Sequence, residues 1–271
     1  DLNSHPEQKP SRWVINFFDW PLERAADYPD CLRIVEEKVK PERDRNKYSR
    51  TARENWWLFE RARAELYKAI APLDRVLLRA LSGKHNAFAF VENGLVIDQT
   101  APAFAFESNG MFSLLVSSIH SAWALRYGPT IRGDPRYTPT DCFETFPFPE
   151  SIDPLEKVGT RYHERRREWM LREQLGLTAF YNHLHDPAEK DPLIQSMRDL
   201  TVDLDNKVRD LYGWSDLDLQ HDFHETRDGP RFGPSEASKA DFLNRLLALN
   251  HERYAAEQAA AGKAPTKKKR S

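Results

Sequence analysis

The sequence predicts an α+β protein, with a mixed α/β domain first and an all-helical domain after it. Three observations predict this class. Short runs rich in β-forming residues cluster in the first half, long helical periodicities fill the second half, and 40% of the 271 residues are hydrophobic, which suffices for a core. No apolar run approaches the roughly 18–20 residues that a membrane span needs, so we expect a cytoplasmic protein.

The first residues alternate between extended and helical patterns. Arg12–Phe18 is rich in β-formers and predicts a buried strand. Leu22 to Val39 has helical spacing of its apolar residues, and Pro41 is expected to end that helix. A second helix is predicted over Asn55–Leu73, with Asn55 as its N-cap.

A group of short β-like runs follows. The dipeptide Asn93-Gly94 lies between two of them and predicts a hairpin turn. Met111–Tyr127 returns to helical spacing, and Gly128 is a natural residue to end it. The predicted strands are Arg75–Leu81, Ala87–Val91, Leu95–Asp98 and Ala103–Phe106.

The pattern becomes helical after the aromatic segment that ends at Pro149. We therefore predict a first domain at residues 1–149, a helical domain at 150–262 and a disordered basic tail at 263–271. The three long helices are expected at Leu155–Leu175, Pro192–Tyr212 and Glu236–Ala261.

Charge is distributed unevenly along a chain whose net charge is only -2. Residues 1–149 carry 20 basic and 20 acidic side chains, whereas residues 150–262 carry 15 basic and 22 acidic ones. The acidic second half is therefore an unfavourable surface for duplex DNA and is expected to act as a scaffold. A local basic cluster occurs in the first half, at Lys40, Arg43, Arg45, Lys47, Arg50 and Arg53.

The basic cluster is followed directly by Trp56 and Trp57. Cations beside aromatic side chains suit a nucleic-acid backbone. The same composition is equally typical of a solvated surface next to two core tryptophans, and composition alone leaves both interpretations open.

Two short motifs formally suggest metal chemistry. Pro29-Asp30 followed by Glu36 and Lys38 fits a nuclease pattern, but a helical segment would point Glu36 and Lys38 in different directions, so an exposed helix face is favoured. The cluster His221, His224 and Glu225 lacks a third organised ligand and is expected to be a helix boundary. No metal site is therefore predicted.

The signatures of methyl transfer are absent from the sequence. It contains neither a glycine-rich cofactor turn after a strand nor an Asn-Pro-Pro-aromatic motif to hold a flipped adenine. We predict that this chain has no catalytic residues and binds no cofactor. The sequence begins at Asp1 without a signal peptide, which suggests a fragment. Cys31 and Cys142 are expected to be free thiols.

Several segments, taken in order, resemble one family. RWVINFFDWPLERAADYP, VKPERDRN and NWWLFERAR resemble the opening of the target-recognition domain in MmeI-like, adenine-specific DNA methyltransferases of the restriction-modification type. FSLLVSSIHSAWALRYG and RYTPTDCFETFPFP resemble the end of that domain. LTAFYNHLHDP, LDNKVRDLYGWSDLDL and RLLALNHERYAAE resemble the helical region that follows it.

The resemblance implies a role in a larger system. Such enzymes methylate adenine in double-stranded DNA with S-adenosylmethionine, serve restriction-modification or phage defence, and hold their methyltransferase domain upstream of the recognition domain. The implied partners are duplex DNA and that methyltransferase, in cis or, if the protein is split, in trans. The alternatives are an assembly subunit that binds another protein of a defence complex, and an inactive remnant.

The resemblance also assigns DNA-contacting residues. The loop Tyr127–Asp141 is similar to the region that varies with specificity, so it implies base readout by Arg132, Asp134 and Arg136. Lys84 lies in the Ser82–Asn86 turn, a further candidate for DNA contact. The basic cluster would then hold phosphates, which fixes position without specifying sequence.

Overall fold

The computed structural model describes residues 1–131, 134–227 and 229–261. Arg132 and the predicted basic tail at 263–271 lie outside the described residues, and the side chain of Asp134 is likewise not described. Helices and small antiparallel sheets alternate along the chain, which confirms the α+β class. No helix in the described part is both long and apolar enough to cross a membrane.

The segment from 12 to 63, which we call the basic lobe, consists of short helices around a small core of its own. That core is built around the buried side chains of Phe17, Ala25 and Val35, and the indole N–H of Trp57 donates to Trp20 O at 2.8 Å. Its helices are α1 (Leu22–Ala25), α2 (Pro29–Lys38), α3 (Lys40–Arg45) and α4 (Arg50–Glu54), and α5 (Ala64–Ile70) follows.

A three-stranded antiparallel sheet follows the basic lobe. Strand β1 (Arg75–Arg79) lies between β2 (Phe88–Glu92) and β3 (Ala103–Phe104). Leu77 pairs with Phe90 on one side and with Phe104 on the other, and all three side chains are buried.

Helices α6 (Asn109–Val116) and α7 (Ser118–Tyr127) cover this sheet. A short hairpin of β4 (Thr130–Ile131) and β5 (Asp134–Pro135) then leads into the aromatic segment. Ser117 separates the two helices because its extended backbone ends α6 while its side chain accepts from the N–H of His120, which caps α7.

The main hydrophobic core is shared between the two halves of the chain. It contains Phe88 and Phe112 from the first half and Trp169, Phe180 and Phe242 from the second. The second half supplies α8 (Glu156–Glu173), α9 (Leu177–Leu184), α10 (Pro192–Leu211) and α11 (Glu236–Ala261).

Contact between the halves is close at two places. A Cβ at Gly159 on α8 would lie 2.2 Å from Asn109 O, so only glycine lets α8 approach α6 this closely. The buried Arg166 on α8 donates to Phe88 O at 2.8 Å and to the Tyr181 hydroxyl at 3.1 Å. These bonds fix the sheet to α8 and α9.

The second half is not purely helical, which corrects the prediction. Strands β6 (Asp222–Thr226) and β7 (Gly229–Gly233) form an antiparallel hairpin between α10 and α11. The cluster of His221, His224 and Glu225 was predicted to be a helix boundary, but His224 and Glu225 lie in β6 and His221 lies just before it. The α+β class is unaffected, because the hairpin adds a further small sheet to a mainly helical region.

Several local predictions in the first half are wrong. Arg12–Phe18 forms no strand, because it has no partner strand in the described residues. Phe17 alone of the segment is buried, and Trp13 is fully exposed. Asn55 ends α4 rather than beginning a helix, since its N–H bonds to Thr51 O at 2.9 Å. The helix predicted at Asn55–Leu73 is confined to α5.

The predicted Asn93-Gly94 hairpin is also absent. The side-chain amide of Asn93 donates to Ile70 O at 2.7 Å and to Leu73 O at 2.8 Å, so it closes the end of α5. Gly94 adopts the left-handed conformation, with φ of 95°. The chain turns there as predicted, but Leu95–Asp98 does not pair as a strand.

Candidate nucleic-acid interface

Most cations of the predicted phosphate-binding cluster already have partners inside the basic lobe. Lys40 also lies over the Trp56 ring, with Nζ 4.7 Å from its centroid. Three of the six cations pair with glutamates. Exposed ion pairs contribute little free energy, so phosphates can replace these glutamate carboxylates with little loss of stability. The contacts are Lys40–Glu36 at 2.7 Å, Arg43–Glu60 at 3.5 Å, Arg50–Glu54 at 2.6 Å, and Arg53 to Asn46 O.

Arg45 and Lys47 differ from the other four cations. Both are exposed, and neither side chain forms an ion pair or hydrogen bond with the described residues. Together with Arg43 and Tyr48 they line an open cleft of about 610 Å³. The sequence therefore located the cluster, and the structure singles out Arg45 and Lys47 as the two cations of the cluster whose side chains have no partner among the described residues.

The Tyr48 ring stands beside these cations and is fully exposed. The loop that carries it is held by Asn46, whose side-chain oxygen accepts from the N–H groups of Tyr48 at 2.9 Å and Ser49 at 3.3 Å. Ser49 in turn caps α4. A cleft with free cations and an exposed aromatic ring is suited to a nucleic-acid backbone.

Two other candidate segments lie side by side at a second surface, which we call the readout edge: the Ser82–Asn86 turn and the described residues 129–131 and 134–137. Ser82 and Arg136 form an antiparallel bridge, and Tyr137 N donates to Leu81 O at 2.8 Å. Arg136 N donates to Pro129 O at 2.9 Å, which closes the base of the β4–β5 hairpin. The fold thus brings the exposed Lys84 and the half-buried Arg136 to one edge.

The side chain of Arg136 has no protein partner among the described residues, and its Nε is buried without a hydrogen bond. The nearby carboxylate of Asp141 accepts a hydrogen bond from the Thr138 hydroxyl and does not pair with Arg136. An ion pair with Asp141 that would merely stiffen the loop is therefore not formed. The donors of Arg136 remain unused by the described protein.

A buried network that the sequence analysis missed supports the readout edge. Arg79, 5% exposed, donates to the Asn86 side chain at 3.0 Å and lies 4.4 Å from the Tyr137 ring centroid. Asn86 also donates to Leu115 O at 2.8 Å. Burial lowers the pKa of Arg79 to about 10, which leaves it charged at neutral pH.

Tyr137 connects the readout edge to the main core. It is 1% exposed, and its hydroxyl lies 2.9 Å from His120 Nε2. Burial raises the pKa of Tyr137, and burial together with the charge of Arg79 lowers the pKa of His120 to about 3. The only sequence signal for this support was the position of Tyr137 next to Arg136.

The two motifs considered for metal chemistry have structural roles. His221 Nε2 lies 2.8 Å from the buried Asp205 carboxylate, which also accepts from Ser118 N at 2.8 Å. Asp30 and Glu36 lie on α2, as predicted for an exposed helix face. Within the described ranges, no group of three His, Cys, Asp or Glu side chains is placed to hold a metal ion.

Both cysteines are free, as predicted. Cys31 is half-buried in the basic lobe and Cys142 is buried in the main core. Burial raises the pKa of the Cys142 thiol, so this thiol stays protonated at neutral pH. Its Sγ lies 3.7 Å from Ala124 O.

Comparison with known proteins identifies the region that carries both surfaces. The family model described as "MmeI, target recognition domain" matches residues 7–150, which is more than half of the chain. The sequence matches no curated protein.

A solved structure, that of the Type IIL restriction-modification enzyme MmeI in complex with DNA, superimposes with a TM-score of 0.60 at 16% identity. The superposition covers 90% of this chain and 29% of that one, so the present chain spans under a third of that enzyme. The fold is therefore shared, and the family match covers both the basic lobe and the readout edge. The chain belongs to the family of MmeI target recognition domains.

Proposed function

We propose that this chain recognises a specific sequence in double-stranded DNA for an adenine-specific DNA methyltransferase of a restriction-modification or phage-defence system. The observation that carries the proposal is Arg136. Its backbone is bonded on both sides, whereas its guanidinium has no partner in the described protein. An arginine held in this way is suited to bidentate contact with guanine.

In this proposal the readout edge contacts bases and the basic lobe contacts phosphates. Arg132, Asp134 and Arg136 contact base edges at the readout edge, and Lys84 contacts DNA beside them. Arg45 and Lys47 bind phosphates in the basic lobe, and the paired cations Lys40, Arg43, Arg50 and Arg53 join them when DNA displaces their local partners. Phosphate contacts then set the register in which the readout edge meets the bases.

Catalysis is assigned to a methyltransferase domain outside this chain, in cis or in trans, and S-adenosylmethionine belongs to that domain. The present sequence has neither a glycine-rich cofactor turn nor an Asn-Pro-Pro-aromatic motif, the two features with which such a domain binds its cofactor and its target adenine. Residues 1–149 form the proposed recognition domain and residues 150–262 the proposed scaffold. The proposed location is the cytoplasm.

The test is a binding selection on randomised duplexes with the naturally expressed protein that contains this chain. Arg136→Ala and Arg132→Ala are compared with the parent. Loss of a base-contacting arginine costs about 1–3 kcal/mol and relaxes the preference at one position of the selected motif. Arg165→Ala is the matched control, because Arg165 lies on α8 in an exposed pair with Glu168 at 2.8 Å.

The outcomes separate base readout from general affinity. A relaxed motif for Arg136→Ala with an unchanged motif for Arg165→Ala supports the proposal. If Arg136→Ala and Arg132→Ala both recover the parental motif, the assignment of base readout to this loop is wrong. If the parent selects no motif at all, the proposed function is wrong.

A further inference from the structure

The Lys84–His85 turn of the readout edge is in direct contact with the C-terminal half of the chain. The guanidinium of Arg231 on β7 reaches the turn at two points. Its Nη1 lies 2.9 Å from His85 Nδ1 and its Nη2 lies 3.5 Å from Lys84 O. A region expected to act only as an acidic scaffold therefore touches a candidate DNA-contacting turn.

Helix α9 holds the same turn from its other side. The His85 ring stacks against Tyr181, with centroids 5.4 Å apart, and against His185, with centroids 5.6 Å apart. His85 Nε2 lies 3.0 Å from the Asn182 side-chain oxygen. We call these four residues, Arg231, Tyr181, Asn182 and His185, the clamp.

The hydrogen bonds of the clamp determine the tautomer of His85. Because an arginine only donates, His85 Nδ1 is the acceptor and Nε2 carries the proton that is donated to Asn182. This arrangement requires a neutral ring, and burial lowers the pKa of His85 to about 4. At neutral pH the imidazole is thus a fixed link between Arg231 and α9.

The hairpin and α9 are also joined to each other. Phe232 N on β7 donates to His185 Nδ1 at 3.2 Å, and burial lowers the pKa of His185 to about 3. The Arg231 side chain consequently projects from a hairpin that is anchored to the helix beneath the turn. On the opposite side, Ser82 and Asn86 tie the turn to Arg136 and to α6.

From this arrangement we infer that the clamp, and Arg231 in particular, positions the Lys84 turn for DNA recognition. The C-terminal half then takes part in recognition without itself forming the DNA surface. The physical reason is that contacts which discriminate between DNA sequences require side chains held to about 0.5 Å, which an unsupported turn on the surface does not achieve. This inference rests on the proposed function, and Arg231 is a positioning residue within it.

The test measures DNA affinity of the naturally expressed protein for its own selected duplex and for an unrelated duplex. The variants are Lys84→Ala, Arg231→Ala and the double variant. If Arg231 acts through the Lys84 turn, each single change weakens specific binding by about tenfold and the double variant is little weaker than Lys84→Ala alone. Thermal unfolding midpoints of all variants establish that they are folded.

Two further variants separate geometry from charge and from simple stability. Arg231→Lys keeps the charge but lacks the planar fork that spans His85 and Lys84 O, so it is expected to behave like Arg231→Ala. Arg245→Ala is the matched control, because Arg245 is also a C-terminal arginine but bonds Asp216 at 2.7 Å and Asp241 at 2.8 Å. It should bind DNA like the parent.

The salt dependence of binding gives the remaining readout. If Arg231 acts only through Lys84, Arg231→Ala leaves the slope of affinity against salt unchanged in the Lys84→Ala background, whereas a residue that itself contacts phosphate lowers the slope by about 1 in that background too. A slope lowered in the Lys84→Ala background, full binding by Arg231→Lys, additive effects in the double variant, or parental affinity for Arg231→Ala would each overturn the inference while leaving the proposed function intact. Failure of the parent to prefer its own duplex would overturn both.

Discussion

The basic lobe and the readout edge carry the two sets of proposed DNA contacts on very different supports. The lobe has a core of three buried apolar residues and presents its cations on short helices. The readout edge lies on the main core, where Arg79, Asn86 and Tyr137 fix it through buried hydrogen bonds and ring contacts.

This difference corresponds to the demands of the two kinds of contact. A phosphate accepts a cation from many directions, so a lobe with replaceable ion pairs is sufficient. A base edge accepts a guanidinium only in a narrow range of geometries, so its support has to be rigid. The structure thus places rigidity at the surface where sequence discrimination is proposed.

The largest expected contrast concerns truncation of the two cores. Phe88→Ala removes a fully buried ring that packs against Phe104 and Tyr137, and we expect the free energy of unfolding to fall by about 3–5 kcal/mol. Phe17→Ala in the lobe should cost less than about 3 kcal/mol and should loosen the lobe alone. Denaturant unfolding gives the energies, and hydrogen exchange shows where protection is lost.

A control sharpens this comparison. Phe59 is 45% exposed in the lobe, so Phe59→Ala should change the free energy of unfolding far less than Phe17→Ala. Loss of amide protection throughout the main core in Phe17→Ala would contradict the description of the lobe as a separate cooperative unit.

The next largest contrast concerns acid. Residues 12–63 contain no histidine, whereas His120 lies beneath the readout edge with a pKa lowered from 6.5 to about 3 by burial and by the charge of Arg79. Between pH 6.5 and about pH 3, His120 binds a proton in the unfolded chain but not in the folded chain. The contribution of His120 is therefore present above pH 6.5 and is lost as the pH falls towards 3, at about 1.4 kcal/mol per pH unit.

The measurement is the free energy of unfolding from pH 7 down to pH 4 in His120→Phe and in the parent. The slope in the variant should be shallower by about one proton. Tyr137→Phe removes the same hydrogen bond but retains His120, so it should keep the parental slope. Equal slopes for His120→Phe and the parent would show that this histidine is not the group that is kept neutral.

The smallest expected effect on stability belongs to the exposed ion pairs of the lobe. Arg50→Ala removes the pair with Glu54 and should cost only about 0.3–0.5 kcal/mol, yet it should lower the slope of DNA affinity against salt by about 1. Arg33→Ala removes the similar pair with Glu37 on α2 and is the matched control, with no expected change in slope. Equal slopes for both variants would contradict a phosphate role for Arg50.

The elements that the sequence predicted well are those whose signals are long and local. Helices α8, α10 and α11 lie within two residues of their predicted bounds because each repeats its apolar spacing over several turns. Helix α9 was missed because it has only two turns. The strand predicted at Arg12–Phe18 failed because β-propensity needs a neighbouring strand to become structure.

The same distinction applies to the candidate site. The basic cluster is contiguous in sequence, so its existence was predicted, although its local ion pairs were not. The readout edge depends on contacts between distant segments, and Arg231 lies 146 residues from His85. The β6–β7 hairpin that carries Arg231 has a glycine at each end of β7 and few β-formers, so no local pattern revealed it.

The distance between His85 and Arg231 also has a consequence for synthesis of the protein. A chain emerges from the ribosome from its N-terminus, and early segments fold before later ones exist. The basic lobe can form soon after its own residues emerge, but the Lys84 turn acquires its clamp only after residue 231 has been made. The Lys84 turn is thus synthesised early but held in its final geometry only late, after the cations of the basic lobe are already in place.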